Sequence, residues 1–193
     1  MKNILETLSK EEKNKIEIKL LKKGEILFSE GEHCEHVGII VNGEIDIVSY
    51  SYGGNEIIFS HLTDGMMFGN NLVFSSQPMY KGSILAKKPT KLALISKKLL
   101  MHLLKNNDEF LISFLNYQSD LTKELNSRIK LLSLDNAEER FFYYLHSQGD
   151  KIAYRSITDL ASHLYLQRET LSRLISRLTE EGKILKKDKV IWR

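Results

Sequence analysis

Gln167-Arg168-Glu169-Thr170-Leu171-Ser172-Arg173-Leu174-Ile175 follows closely on Ser156-Ile157-Thr158-Asp159-Leu160-Ala161-Ser162-His163-Leu164. Together the two segments read as a helix-turn-helix. Arg168, Glu169, Ser172 and Arg173 stand at i, i+1, i+4 and i+5, so they share one face near the N-terminal end of the second helix. An arginine donates two hydrogen bonds to guanine O6 and N7, and a glutamate accepts one from cytosine N4. The N-terminal end of a recognition helix is the part that enters the major groove. The segment therefore points to double-stranded DNA.

The flanking residues fit that reading. Ser156 is placed to cap the first helix, with Asp159 three residues on in the position of a capping-box acid. The second helix should run from Gln167 to about Glu181 and stop at Gly182, a suitable left-handed terminator. Ile184 to Trp192 then reads as two short strands around Lys187-Asp188-Lys189, a wing. Upstream, Asp135 or Asn136 caps a further helix, Ala137 to about His146, and Gln148-Gly149-Asp150-Lys151 is a turn. From Lys97 to about Ser133 the pattern is helical. Leu111, Phe114, Gln118, Leu121, Leu125, Arg128 and Leu132 repeat at 3-4 spacing, as in the seam of a helix pair. Packing of the helix on its own domain is the competing reading, and the polar Gln118 and Arg128 favour the pair.

Residues 21–95 differ. Short strand-like runs occur at Glu25–Phe28, Val37–Val41, Glu44–Val48, Glu56–Phe59, Gly82–Ala86 and Lys91–Ile95. Turn signals separate them at Gly31, Asn42-Gly43, Gly53-Gly54 and Asp64-Gly65, and Asn-Gly between two apolar runs predicts a hairpin. Such a series makes a small sandwich or barrel. Residues 1–20, with Ile4, Leu5, Leu8, Ile16, Ile18 and Leu20 among many charges, read as one or two short helices.

The 193 residues suit one large domain or two small ones, and 42% hydrophobic with 27% charged residues is ordinary for a globular protein. No run of about 18 apolar residues marks a membrane span. Met1-Lys2-Asn3-Ile4-Leu5-Glu6 lacks the apolar stretch of a signal peptide, so a cytoplasmic location is expected. The single cysteine, Cys34, excludes an internal disulfide and any four-cysteine metal or iron–sulfur site within one chain. From Ala137 onward there are 11 Lys+Arg against 8 Asp+Glu, and residues 1–136 hold 17 of each, so the net +3 lies with the helix-turn-helix. That is where phosphate contact would place it.

Lys23-Gly24-Glu25-Ile26-Leu27-Phe28 with Gly31, Gly38-Ile39-Ile40, Asn42-Gly43-Glu44-Ile45, Gly65, Phe68-Gly69, Leu134-Asp135 and Arg168-Glu169-Thr170-Leu171-Ser172-Arg173 occur in that order. With them, nearly the whole chain resembles the catabolite-activator/FNR (Crp/Fnr) family of transcription regulators. The resemblance implies an α+β architecture in three parts. A cyclic-nucleotide-binding-type β-roll (a double-stranded β-helix) leads into a long dimerisation helix at about 107–133, together residues 1–133. A winged helix-turn-helix then fills residues 134–193. It further implies a homodimer on an inverted-repeat operator, contact with RNA polymerase, and a small-molecule effector. By resemblance Glu169 and Arg173 read a C and a G in a TGA-type half-site core. Arg168 matches the cyclic-AMP-responsive branch and Ser172 the oxygen-sensing branch, so the outer bases stay open. Gln167, Thr170 and Arg177, with Lys186, Lys187 and Lys189 on the wing, are placed for phosphates. The plainer alternative is that Arg168, Glu169 and Arg173 form a salt-bridged exposed face.

The effector loop departs from the family. Cyclic-AMP binders place Glu directly after Phe-Gly for the ribose, and Arg-Ser later in the loop for the phosphate. Here Phe68-Gly69 is followed by Asn70-Asn71, and Tyr80-Lys81 replaces Arg-Ser, so the guanidinium fork is lost. Glu124-Leu125 stands about where the family carries Thr-Ser against adenine. Cyclic AMP is disfavoured. Phe68, Gly69, Asn70, Asn71, Tyr80 and Lys81 remain the candidate pocket for another effector. Met66, Met67, Phe74 and Met79 serve either that pocket or the core. Haem is disfavoured because no histidine stands in a ligand motif, and His33-Cys34-Glu35-His36 is too short for zinc. Cys34 is either an inert thiol or, beside an imidazolium, a reactive thiolate. The sequence carries no nucleophile elbow, P-loop or His-Glu-x-x-His motif, so an enzyme is not expected. A sensory protein using the helix-turn-helix for protein contacts is the second functional reading.

Overall fold

The computed structural model describes residues 4–193; Met1-Lys2-Asn3, where the reading of the N-terminus begins, lie outside the described residues. The chain forms two compact units that divide between Ser119 and Asp120, where the sequence reading places a domain boundary at 133–136.

The first unit opens on a 3-10 turn, Ile4–Thr7, and a short helix α1, Lys10–Lys13. Ser9 and Glu12 close a reciprocal capping box over α1. Next come β1 (Glu17–Leu21), β2 (His36–Asn42), β3 (Glu44–Tyr50), β4 (Glu56–Thr63), β5 (Met67–Phe68), β6 (Ser83–Ala86) and β7 (Thr90–Ser96). One antiparallel sheet has the order β1-β7-β2-β5 and the other β4-β3-β6. Val37, Ile39, Leu92 and Ile95 from the first sheet meet Ile45, Ile84 and Ala86 from the second in one buried core. That is the expected roll.

Four local expectations are corrected. Residues 16–20 do not continue a helix: β1 begins at Glu17, and its alternation went unread because Ile18 and Leu20 point to solvent from an edge strand. Glu25–Phe28 forms only an isolated bridge, Ile26 to Leu85, although Leu27 and Phe28 hydrogen-bond to Ile84. Asn42-Gly43 makes no hairpin, since β2 and β3 belong to different sheets. Gly43 is a corner at φ 134°, and a Cβ there would fall 2.3 Å from Thr90 Oγ1. The hairpin instead joins β3 to β4 around Gly53-Gly54. Finally, the helical stretch from Lys97 is two helices, α2 (Lys97–Asn106) and α3 (Asp108–Leu132). Asn107 breaks them in an extended conformation, and its Oδ1 accepts from the Phe110 amide at 2.9 Å as the cap of α3.

The second unit contains the end of α3, α4 (Ala137–Ser147), β8 (Lys151–Ala153), α5 (Ile157–His163), α6 (Arg168–Glu180), β9 (Leu185–Lys187) and β10 (Val190–Trp192). Asn136, not Asp135, caps α4, accepting from the Glu139 amide at 2.9 Å. The wing is three-stranded, β8-β10-β9, because β8 pairs with the outer side of the expected hairpin. Phe141, Leu145, Leu160, Leu171, Ile175, Leu178 and Ile191 fill the core beneath it. Among the described residues no helix is long and apolar enough to cross a membrane.

Candidate functional site

Ser156 Oγ accepts from the Asp159 amide at 3.0 Å and starts α5 as expected. The turn to α6 passes through Tyr165 at φ 53°. Gln167 precedes α6 without a side-chain cap hydrogen bond, which leaves the first backbone N–H groups of that helix open to an anion. Leu171, Leu174, Ile175 and Leu178, at i, i+3, i+4 and i+7, are buried and seat α6 on its unit. The other face carries Gln167, Arg168, Glu169, Thr170, Ser172 and Arg173, all exposed. Gly182, at φ 68°, ends the helix region as predicted.

The face is not closed by its own ion pairs. Arg168 and Glu169 approach to only 3.9 Å, a weak exposed contact. No ion pair joins Glu169 to Arg173 among the described residues. Lys186, Lys187 and Lys189 lie exposed around the wing turn at Asp188. Arg177, the remaining residue of the phosphate set, is engaged within its own unit. Its guanidinium donates to Glu138 at 2.7 Å and lies 3.6 Å from Glu181, while Lys183 joins both carboxylates at 3.2 and 2.8 Å. These partners hold the Glu138 carboxyl below its ordinary range, and Arg177 links α4 to α6 through Glu138.

The expected seam on α3 shifts by one residue at alternate positions. Phe114 is 5% exposed and belongs to the core of the first unit. Arg128 pairs with Glu124 at 3.4 Å on the same helix. Exposed apolar side chains instead stand at Ile112, Leu115, Leu125, Ile129 and Leu132. Leu111, Leu115, Gln118, Thr122, Leu125, Ile129 and Leu132 therefore make the 4-3 stripe, with Leu121 half-buried beside it.

The effector-loop residues are gathered inward. Phe68, Gly69, Asn70 and Tyr80 are buried, and only Asn71 and Lys81 of the six are exposed. Gly69 is at φ 75°, and a Cβ there would meet the His36 carbonyl at 2.5 Å. Tyr80 stacks on Phe28 at 4.9 Å and donates to the His36 carbonyl at 3.4 Å. Burial raises its phenol pKa. Asn70, standing where a ribose-binding carboxylate is expected, is held by α3. Its Nδ2 donates to Gln118 Oε1 at 2.5 Å, and Gln118 Nε2 donates to the Asn70 carbonyl at 3.1 Å. One residue earlier on the helix, Tyr117 Oη accepts from the Met67 amide at 2.9 Å. Sequence reading gave Gln118 its place in the seam but not its tie to Asn70, and missed Tyr117; their partners lie some fifty residues away, beyond the reach of local pattern.

Breaking one side of this amide pair should cost more than removing it. Asn70→Leu should destabilise the protein by about 1–3 kcal/mol, and Asn70→Leu with Gln118→Leu by less than the sum of the two single changes. Thermal unfolding of the four chains measures it; strict additivity would show that the two amides do not act as a pair.

Cys34 is fully buried. Its thiol donates weakly to the carbonyls of His36 and Gly69, and burial pushes its pKa up. The neighbouring His33 ring pairs with Glu35 at 2.8 Å instead. Of the two readings of Cys34, burial in the core favours the inert thiol. No cluster of metal-ligating side chains occurs among the described residues.

A sequence model of the cyclic nucleotide-binding domain matches residues 18–107. The anaerobic regulatory protein of Haemophilus influenzae is 26% identical over 184 residues, covering 90% of this chain and 71% of that protein. The DNR structure from Pseudomonas aeruginosa superposes with a TM-score of 0.53 at 25% identity, over 99% of this chain and 89% of that one. The catabolite activator protein of Thermus thermophilus gives 0.58 at 21% identity, over 98% and 92%, a likeness of fold.

Proposed function

We propose that the chain is a transcription regulator of the Crp/Fnr type, acting as a cytoplasmic homodimer that binds a specific inverted-repeat DNA operator and does not respond to cyclic AMP. The observation that carries this reading is α6. Its apolar side is sealed into the unit, and its outward side presents Arg168, Glu169, Ser172 and Arg173 without ion pairs to occupy them beyond one 3.9 Å contact. Glu169 and Arg173 read the C and G of a TGA-type core, and Arg168 and Ser172 the bases outside it. Gln167, Thr170, Lys186, Lys187 and Lys189 contact phosphates and set the register. Arg177 is left out of that set.

Two copies pair along Leu115, Leu125, Ile129 and Leu132, which presents two recognition helices about 34 Å apart on one DNA face. Cyclic AMP fits poorly. A buried Asn70 tied to Gln118 stands in for the ribose carboxylate, and Tyr80-Lys81 offers no bidentate fork for the phosphate. Any effector of this chain makes contacts different from those of cyclic AMP. RNA polymerase remains the partner that the family implies.

Selection of bound sequences from a random DNA pool, with purified full-length protein and no added ligand, tests the reading. An inverted repeat with a TGA-type core is expected; failure to enrich any repeat, with or without cell extract, would overturn it. On the selected operator Arg173→Ala should cost about 1–3 kcal/mol per half-site and relax one base position. Equal loss on every DNA sequence would remove Arg173 from base reading.

A further inference from the structure

Arg140 lies one turn into α4, and its guanidinium meets backbone carbonyls from three places in the second unit. Its Nε donates to Leu134 at 3.2 Å, one terminal nitrogen to Leu132 at 3.3 Å, and the other to Tyr165 at 3.4 Å. Leu132 ends α3, so its carbonyl is one of the last four that the helix itself cannot satisfy, at the negative end of the helix dipole. Leu134 lies in the link from α3 to α4. Tyr165 belongs to the strained turn between α5 and α6. The neighbouring cations are engaged elsewhere: Lys130 lies over the Tyr143 ring and Arg128 pairs with Glu124.

We infer that Arg140 is a positioning residue for DNA recognition, fixing the last turn of α3 against the turn that aims α6. The inference rests on the proposed pairing of two copies along α3. In such a dimer the angle between α3 and α6 in each copy sets the separation and tilt of the two recognition helices. DNA accepts a narrow range of that separation. A planar fork with donors in fixed directions serves three carbonyls at once, whereas lysine brings one nitrogen. Arg140 is not on the exposed face of α6, so it reads no base and acts through these carbonyls.

The test uses the full chain, with Arg140→Gln and Arg140→Lys, on selected operators whose half-site spacing is varied by one or two base pairs, and on a single half-site. Wild type should favour one spacing. Arg140→Gln should lose about tenfold on that spacing and bind all spacings nearly alike, while single half-site affinity stays within about twofold. Its salt dependence should not change, because no phosphate contact is removed. Arg140→Lys should show the same loss of spacing preference although it keeps the charge, and it decides the matter if Arg140→Gln fails to fold. Variants that keep the wild-type spacing preference, or lose equally on half-site and operator, overturn the inference alone. Wild type that binds no inverted repeat overturns the dimeric reading and the inference with it.

Discussion

Aspartate at both Leu125 and Ile129 is expected to leave a monomer and to lower operator affinity at least 100-fold. The two side chains are 46% and 62% exposed in the single chain and stand one turn apart on α3. Pairing would bury the exposed half of four such side chains, each contributing about 1 kcal/mol. The double change removes that contribution and sets four carboxylates into an apolar seam, where an unpaired charge is costly. A monomer has one recognition helix and loses the gain of joining two half-sites. Ser127→Asp, on the far side of the helix, is the control and should leave the dimer intact. Light scattering on a sizing column gives the mass, and titration of operator against half-site gives the affinity. A dimer that survives Leu125→Asp/Ile129→Asp would place the interface elsewhere.

Phe141→Ala should unfold the second unit. Phe141 is fully buried at the centre of that core and packs edge-on against Phe142 with ring centres 5.6 Å apart. Truncating such a residue costs about 3–5 kcal/mol. The unit spans Asp120 to Arg193, and the total stability of a domain is commonly only about 5–15 kcal/mol. Hydrogen exchange should show α5 and α6 losing protection while β2, β3 and β7, which belong to the other core, keep theirs. Phe141→Leu restores part of the volume and should fall between. Unchanged protection across α5 and α6 in Phe141→Ala would show that this core has slack.

The helix-turn-helix was legible because its instructions are local. Ser156 caps α5, Leu171, Leu174, Ile175 and Leu178 repeat with the helix, and Gly182 supplies the left-handed stop. What escaped depends on residues far apart in the chain. On α3, Phe114 and Leu115 both complete a 3-4 stripe through Leu111, Gln118 and Leu125; only the core of the first unit decides that Phe114 turns inward. The reach of Asn70 to Gln118 and the three carbonyls around Arg140 have no signature at fixed spacing. Gly43 misled for a related reason. An Asn-Gly step predicts positive φ, and Gly43 has it, but whether the chain then doubles back or turns a corner depends on which strands claim β2 and β3. Both found partners elsewhere, β7 and β5 for one, β4 and β6 for the other.

The pairing of β1 with β7 sets Glu17 against Leu94. During synthesis β1 is made long before the strand that completes it. At about 5–20 residues per second the ribosome takes roughly 4–15 s to add the intervening chain. Throughout that interval Ile18, Leu20 and an unsatisfied strand edge are available to any neighbouring chain. Expression yield should therefore depend on translation speed between β1 and β7, with slow codons there lengthening the exposure. Charge replacement at Leu20, which faces solvent in the finished fold, would protect the nascent chain at little cost to the native one.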